Sequence, residues 1–517
     1  MHIMKKKILK YTTSLLAICG MTLAIMTGCA EDFFNEKAGD RITPDQHYRS
    51  LEDVMVSMRG AIIPLQDILP KLIMLDGLRS DMMDVNPHAS MHLVNIHHQQ
   101  FHAGNPFIDP SDLYKVIINI NEVLANLDKV QDRRFDEVSA PQIRGALISM
   151  RAWTYFTIAR LYGQVAYIRD NMASLPANLT QTMMSKEVLI DTLINQIKPY
   201  IHDATQTQFE ELRFPHYVNS KAILGELYLE KNDYANAVTY LKLACESYLN
   251  QPALLKVDRS YQNAAWGSIF LNAESQVLEN IAVMPYSSRE NQNNPLASWM
   301  LYDYWVKPST VLVDSFLTQV PAAGEPGDLW RGNGLTFVLD TIARRGDDDY
   351  LTAAFITKYA VDIHDAFGSD IIISRASDIH LLLAEAYNRL GDQVSQNYAL
   401  MLLNNGANSV NPKPAPFVRW ANNLGIRGRV YLRPRLVPDN LPGQAITTYI
   451  EDLIIAERAL ELAFEGKRWT DLVRIAERRN DPSYLADKVA AKFAGTSHYD
   501  MIRNKLMDPA NWYLPIE

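Results

Sequence analysis

Residues 218–247 read VNSKAILGELYLEKNDYANAVTYLKLACES. Leu224-Gly225-x-x-Tyr228 is followed, at the offsets of a tetratricopeptide unit, by Ala237, Leu241 and Ala244. This pattern describes two antiparallel helices. Gly225 and Ala237 are small where the helices would cross closely, Tyr228 and Leu241 would fill the groove between them, and Asn232-Asp233 would make the turn. A helical hairpin of this kind cannot bury its apolar face alone, so its presence predicts further helices stacked beside it.

Such helices are legible on both sides. Ala152-x-x-Tyr155 and Leu383-Ala384-x-x-Tyr387, the latter with Ala399 and Leu403, repeat parts of the pattern. Helical periodicity marks Leu113 to Leu127, Ile143 to Tyr162, Val188 to Ile201 and Thr448 to Phe464. Thr43-Pro44-Asp45-Gln46 reads as a capping box with proline at the first helical position, and Ser50 to Ile62 continues in helical rhythm. The expected fold class is therefore mainly α, with tetratricopeptide-like hairpins forming a curved spine. Long irregular tracts interrupt it, and a helical scaffold commonly places its binding surface on such tracts. From Tyr286 to Lys307 the chain is polar and then aromatic, while 411–442 holds six prolines and is too proline-rich for regular structure.

The N-terminus carries an address. Lys5, Lys6, Lys7 and Lys10 precede an apolar run from Leu15 to Met26, which ends at Met26-Thr27-Gly28-Cys29. This is the pattern of a secretion signal with a lipobox: Gly28 lets a peptidase approach, and the Cys29 thiol takes a diacylglyceryl group before cleavage. The run is too short and too broken by Thr and Gly to span a bilayer comfortably. Residues 1–28 are thus expected to be removed, and 29–40, beginning with Glu31 and Asp32, to form an acidic tether. The body would be one composite domain over 41–517. Within it, hairpins occupy about 41–285, loops about 286–370 and 408–446, and C-terminal helices 371–407 and 447–480.

Composition excludes several classes. Net charge is −9, and no basic cluster interleaves with aromatics, so nucleic acid is not an expected partner. Of three cysteines, Cys19 falls in the signal and Cys29 at the lipid site, which leaves Cys245 alone on a predicted helix and no disulfide in the mature chain. No P-loop, GxSxG, HExxH or paired-cysteine motif occurs, and neither a metal nor a cofactor is expected. Asp347-Asp348-Asp349 lacks the alternation and glycine of a calcium loop and reads as a solvated turn.

The stretch from Ile455 to Arg474, IAERALELAFEGKRWTDLVR, closely resembles the ER-x-x-EL-x-FEG-x-RW-x-DL-x-R signature of the SusD/RagB family of outer-membrane nutrient-binding lipoproteins. Further matches are Arg375 to Asn388, Arg151 to Gly163, Leu78-Arg79-Ser80-Asp81, Lys307-Pro308-Ser309 with Asp314-Ser315-Phe316, and the terminal Leu514-Pro515-Ile516. The resemblance implies a cell-surface protein held in the outer membrane by its lipid. It would bind a glycan or oligosaccharide without cleaving it and deliver it to a SusC-like TonB-dependent transporter. A peptide-binding RagB-type member and a lipid-anchored glycoside hydrolase are the alternatives. Read physically, Thr448 and Glu451 would cap the signature helix and Gly466 would end it. Glu457 and Glu461, at i and i+4, could form an acid/base couple, but Arg458, Arg468 and Arg474 nearby point to ion pairs instead.

Sugar recognition needs flat apolar faces for C–H groups, so loop tryptophans and tyrosines are the natural candidates. Trp299, Tyr302, Tyr304 and Trp305 qualify, as does Trp420, although the same spacing suits residues packed on the spine. Trp153 and Trp469, inside helical signatures, are expected in the core. The resemblance adds Arg79 and Asp81 of the early LRSD motif and the loop up to Phe107. That loop lacks the tryptophan many members carry there, which leaves His98 or Phe101 as stand-ins. It also concentrates His88, His92, His97, His98 and His102, but no carboxylate or cysteine completes a metal set.

Overall fold

The computed structural model describes residues 47–515, apart from 138, 169–182, 202–213, 215, 247–259, 262–264, 272, 274–278, 344–349, 361–364, 366 and 421. The lipobox, the tether, the Thr43 capping box and the Asp347–Asp349 turn lie outside the described residues.

The architecture is mainly helical. The hairpin at 218–247 forms helices Ser220–Glu230 and Tyr234–Glu246, and Asn219 caps the first by accepting from the Lys221 and Ala222 backbone. A Cβ at Gly225 would collide with the Leu241 side chain, so glycine is what permits this close crossing. Asn232, at φ 64°, turns the chain between the two helices. A second hairpin, Ala376–Leu390 with Gln393–Leu403, packs its first helix along Tyr234–Glu246. Its turn uses Gly391 in the left-handed region at φ 83° and Asp392 as N-cap. Ser111–Asn126, Ser139–Tyr162 and Lys186–Ile197 pack in succession and join the first hairpin. One continuous apolar core runs from Tyr48 to Leu514, and a smaller one gathers Trp469, Leu472, Leu485, Ile502 and Trp512 in the C-terminal helices.

Strands are few and paired in twos. Met83–Val85 lies antiparallel to Val306–Pro308, Asn280–Met284 to Ile371–Arg375, and Phe337–Ala343 to Tyr350–Ile356. The first pair matters most for function, because it ties the end of the LRSD segment to the end of the aromatic tract.

Helix boundaries follow expectation at the first described helix and depart from it at the signature helix. The first described helix, Leu51–Ile62, has its own capping box from Ser50 and Asp53. The signature helix starts at Gly443 after Pro442, not at a Thr448–Glu451 box, and it ends at Glu461. Thr448 and Glu451 are thus interior, and Glu451 instead takes Arg478 and Arg479 at 2.8 Å each. Beyond Leu462 the chain turns through Phe464 at φ 63° and Gly466 at φ 71° into helix Arg468–Arg479. Gly466 therefore belongs to the turn, not to the helix cap.

The signature proves to be an ionic core. Glu461 accepts from Arg331 (2.8 Å), Arg375 (2.8 Å) and the Tyr261 hydroxyl (2.6 Å). Glu457 pairs with Arg331 (2.8 Å) and Arg427 (2.6 Å), and Glu465 with Arg375 and Lys358. All of these groups are buried. The arginines adjacent in sequence go elsewhere: Arg458 to Asp378 and Asp471, Arg468 to Asp81, and Arg474 to Glu385. Burial alone would raise the Glu461 and Glu457 carboxyls, but the guanidinium groups facing them hold both below the usual carboxylate range. With every oxygen engaged and no access for substrate, this pair is structural.

Candidate functional site

The tract from Pro295 to Pro308 folds into a compact aromatic shelf. Residues Ser298–Tyr302 make one wide π-type turn, closed by the Asp303 N–H donating to the Ser298 carbonyl at 2.7 Å. The chain then doubles back, and the Trp305 N–H donates to the Trp299 carbonyl at 2.9 Å. That reversal needs a left-handed residue, and Tyr304 supplies it at φ 51°. A non-glycine residue keeps this conformation only where its surroundings over-determine it. Here Asn86 donates its side-chain amide to the Tyr304 carbonyl and its backbone N–H to the Trp305 carbonyl, both at 2.9 Å. The Tyr304 hydroxyl donates to the Ala354 carbonyl at 3.1 Å.

The rings are arranged by these restraints. Trp299 and Trp305 stack with centroids 5.8 Å apart and planes 16° from parallel, so each spends one face on the other. Phe107 meets Trp299 edge-on at 5.6 Å, and Tyr304 lies 4.5 Å from Phe355. Tyr302, 58% exposed, stands 5.7 Å from Phe367, 38% exposed. Trp299, Tyr304 and Trp305 are half-buried, while Asp303 is exposed and accepts from the Ser298 hydroxyl. The four aromatics expected from this tract therefore come together, joined by Phe107 from the end of the loop after the LRSD motif and by Phe355 and Phe367, which sequence reasoning did not single out.

The remaining candidates fall elsewhere. Trp420 is fully buried, donates its indole N–H to Glu246 at 2.8 Å and packs edge-on against Phe417. It is a core residue, which overturns its candidacy as a stacking platform. Asp81 is also buried, as the bidentate partner of Arg468 at 2.7 Å. Arg79 is fully buried, with its guanidinium 3.9 Å from the Trp469 ring centre and 4.8 Å from that of Phe101. Neither reaches a ligand at the surface. Their segment acts by position: the Asp81 carbonyl accepts from the Ser309 hydroxyl and the Met82 carbonyl from the Ser309 N–H, which fixes the strand following Trp305. His98 and Phe101 are half-buried, and His98 stacks on His498 at 4.4 Å with planes 4° apart. His97 is buried against Phe493, and burial pushes its pKa far below the usual imidazole value. Among the described residues no group of three His, Cys, Asp or Glu side chains is placed to hold a metal. Trp469 is in the core as expected, whereas Trp153 is half-buried at the rim of a cleft.

The chain is thus a helical scaffold that presents a braced aromatic shelf. Its fold is shared with a SusD superfamily protein from Bacteroides vulgatus, at a TM-score of 0.61 and 14% identity over 89% of this chain and 93% of that one. A SusD-like carbohydrate binding protein from Bacteroides fragilis matches at a TM-score of 0.59 and 16% identity, covering 84% of this chain and 88% of that one. In sequence, the SusD-like protein P38 of Formosa agariphila is 22% identical over 88% of this chain and 89% of its own length. Residues 296–517 match the SusD family. Over residues 296–517 in sequence, and in its fold, the chain is thus similar to SusD-like proteins.

Proposed function

We propose that this protein captures a glycan at the cell surface, without cleaving it, and hands it to a SusC-like TonB-dependent transporter. Residues 1–28 would be the secretion signal, Cys29 the lipid anchor in the outer membrane, 29–40 the tether and 41–517 one domain. The observation that carries the reading is the aromatic shelf. Its rings are held by backbone bonds rather than by burial alone, and Tyr302 and Phe367 offer faces to solvent. Flat faces suit the C–H side of a sugar ring, and a preformed shelf spends little entropy on ordering itself when the sugar arrives. Each contact is shallow, so several must act together, which favours an oligosaccharide over a single sugar. One solved relative is named a carbohydrate binding protein, which supports the same class of ligand.

Against hydrolysis stands the engagement of Glu457 and Glu461 in buried ion pairs. The test is incubation of the purified protein with a polysaccharide panel, followed both by titration calorimetry and by assay for new reducing ends. Binding heat without reducing ends supports the proposal. New reducing ends would replace it with a lipid-anchored hydrolase, and retention of peptides instead of glycans with a peptide-binding member of the family.

A further inference from the structure

Behind the LRSD segment lies a second site. Helices Pro64–Arg79 and Ser139–Tyr162, strand Ile371–Arg375 and the start of helix Arg468–Arg479 enclose a cavity of about 80 Å³. Its walls are largely apolar, from Leu69, Ile73, Leu161 and Ile371. Half-buried Leu72, Trp153, Thr157 and Thr470 form its rim.

Three N–H groups on residues lining this cavity have no acceptor among the described residues: Arg79 Nη1, Arg160 Nε and Trp469 Nε1. Buried donors without partners are rare and call for an explanation. The two carboxylates that also line the cavity are engaged elsewhere. Asp76 accepts from the backbone N–H groups of Arg468 (3.2 Å) and Trp469 (2.8 Å), and Glu465 pairs with Lys358 and Arg375. Arg79 is the unusual member. It is fully buried, yet its other nitrogens reach only neutral acceptors: Nε donates to Gln99 at 3.3 Å and Nη2 to the Trp512 carbonyl at 2.8 Å. Among the described residues no carboxylate stands within ion-pair distance of it. Every other fully buried arginine of the ionic core has at least one. Water would satisfy the donors but not neutralise the cation, whereas an anion does both.

We propose that this cavity binds a small organic carboxylate, its oxygens on Arg79 Nη1 and Trp469 Nε1 and its apolar body against Trp153 and the isoleucine wall. The site is separate from the aromatic shelf and does not depend on the glycan reading.

Benzoate, with benzamide as its uncharged counterpart, is the probe. The protein is labelled with 15N and the indole N–H signals of its eight tryptophans are followed during titration. The Trp469 signal, identified by its loss in Trp469→Phe, shifts saturably with benzoate. Benzamide binds at least about tenfold more weakly, as expected when a charged hydrogen bond is lost. Arg79→Lys, which keeps the charge and removes Nη1, weakens benzoate by a similar factor. Thr157→Tyr closes the rim with every donor in place, and it also weakens benzoate while the Tm is kept. It decides the matter should Arg79→Lys fail to fold. The proposal is overturned if the Trp469 signal does not respond, if benzamide binds as well as benzoate, or if folded Thr157→Tyr binds benzoate unchanged.

Discussion

Glu461→Gln separates structure from chemistry in the signature helix. The substitution preserves shape and removes one buried negative charge from a site with two guanidinium groups within 2.8 Å and the Tyr261 hydroxyl at 2.6 Å. Breaking a buried ion pair by removing one partner costs about 3–5 kcal/mol, because the other charge is left uncompensated. Here each arginine keeps two other carboxylates: Arg331 has Glu457 and Asp328, and Arg375 has Glu465 and Glu279. The lower end, about 3 kcal/mol, is therefore expected. In a chain of this size each kcal/mol moves the midpoint by roughly 1 °C, so the Tm should fall by roughly 3 °C. Thermal melts by circular dichroism give that number, and calorimetry on the same sample gives glycan affinity, which should stay within about twofold because the shelf is elsewhere. An unchanged Tm together with lost function would refute the structural assignment and reopen this carboxylate as a working group.

The shelf allows a graded comparison. Tyr302→Ala, at a largely exposed ring, should weaken glycan binding at a stability cost within about 0.5 kcal/mol. Trp305→Ala removes a half-buried ring stacked on Trp299 and should cost a further 1–3 kcal/mol, roughly, so it is the poorer probe of binding; equal Tm losses for the two would contradict the burial pattern. Acid should weaken the fold in a defined window. Burial alone would raise Glu230, but Lys186 and Arg160 beside it lower its pKa to about 2. Its contribution is thus fully present above its unfolded value of 4.5 and is lost as pH falls toward 2. In the Glu230→Gln protein the fall of Tm between those two pH values should be shallower than in wild type, and an identical slope would count against the linkage. Cys29→Ser should abolish labelling by a fatty-acid analogue, and persistent labelling would remove the anchor from the account.

How much of this was readable beforehand depended on distance along the chain. The 218–247 hairpin was legible because its cues are local: small residues at the crossing, an Asn–Asp turn and a helical period all lie within one unit. The clustering of Trp299, Tyr302, Tyr304 and Trp305 was legible for the same reason. Phe107 reaches the shelf from the end of the loop that the resemblance had already marked, whereas Phe355 and Phe367 come from other segments, and nothing in their own neighbourhoods marks them. Trp420 misled because its proline-rich surroundings suggest a surface loop, whereas burial is set by Phe417 beside it and Glu246 far upstream. The acid-and-arginine signature announced ion pairs correctly but not their partners. Glu461 is answered by Arg331 and Arg375 from distant strands and loops, because a helix side chain points toward whatever packs on it, not toward its sequence neighbours. The Thr448 capping box failed because the helix starts earlier, at Gly443 with Pro442 as its N-cap residue, which leaves Thr448 in the interior.

The most direct measurement is isothermal titration of the purified protein with a panel of polysaccharides, wild type beside a Tyr302→Ala, Phe367→Ala double variant. The account predicts saturable heat with at least one polysaccharide, reduced about tenfold or more in affinity in a double variant whose Tm is unchanged. Equal affinity in the two proteins would contradict it, by placing the ligand somewhere other than the aromatic shelf.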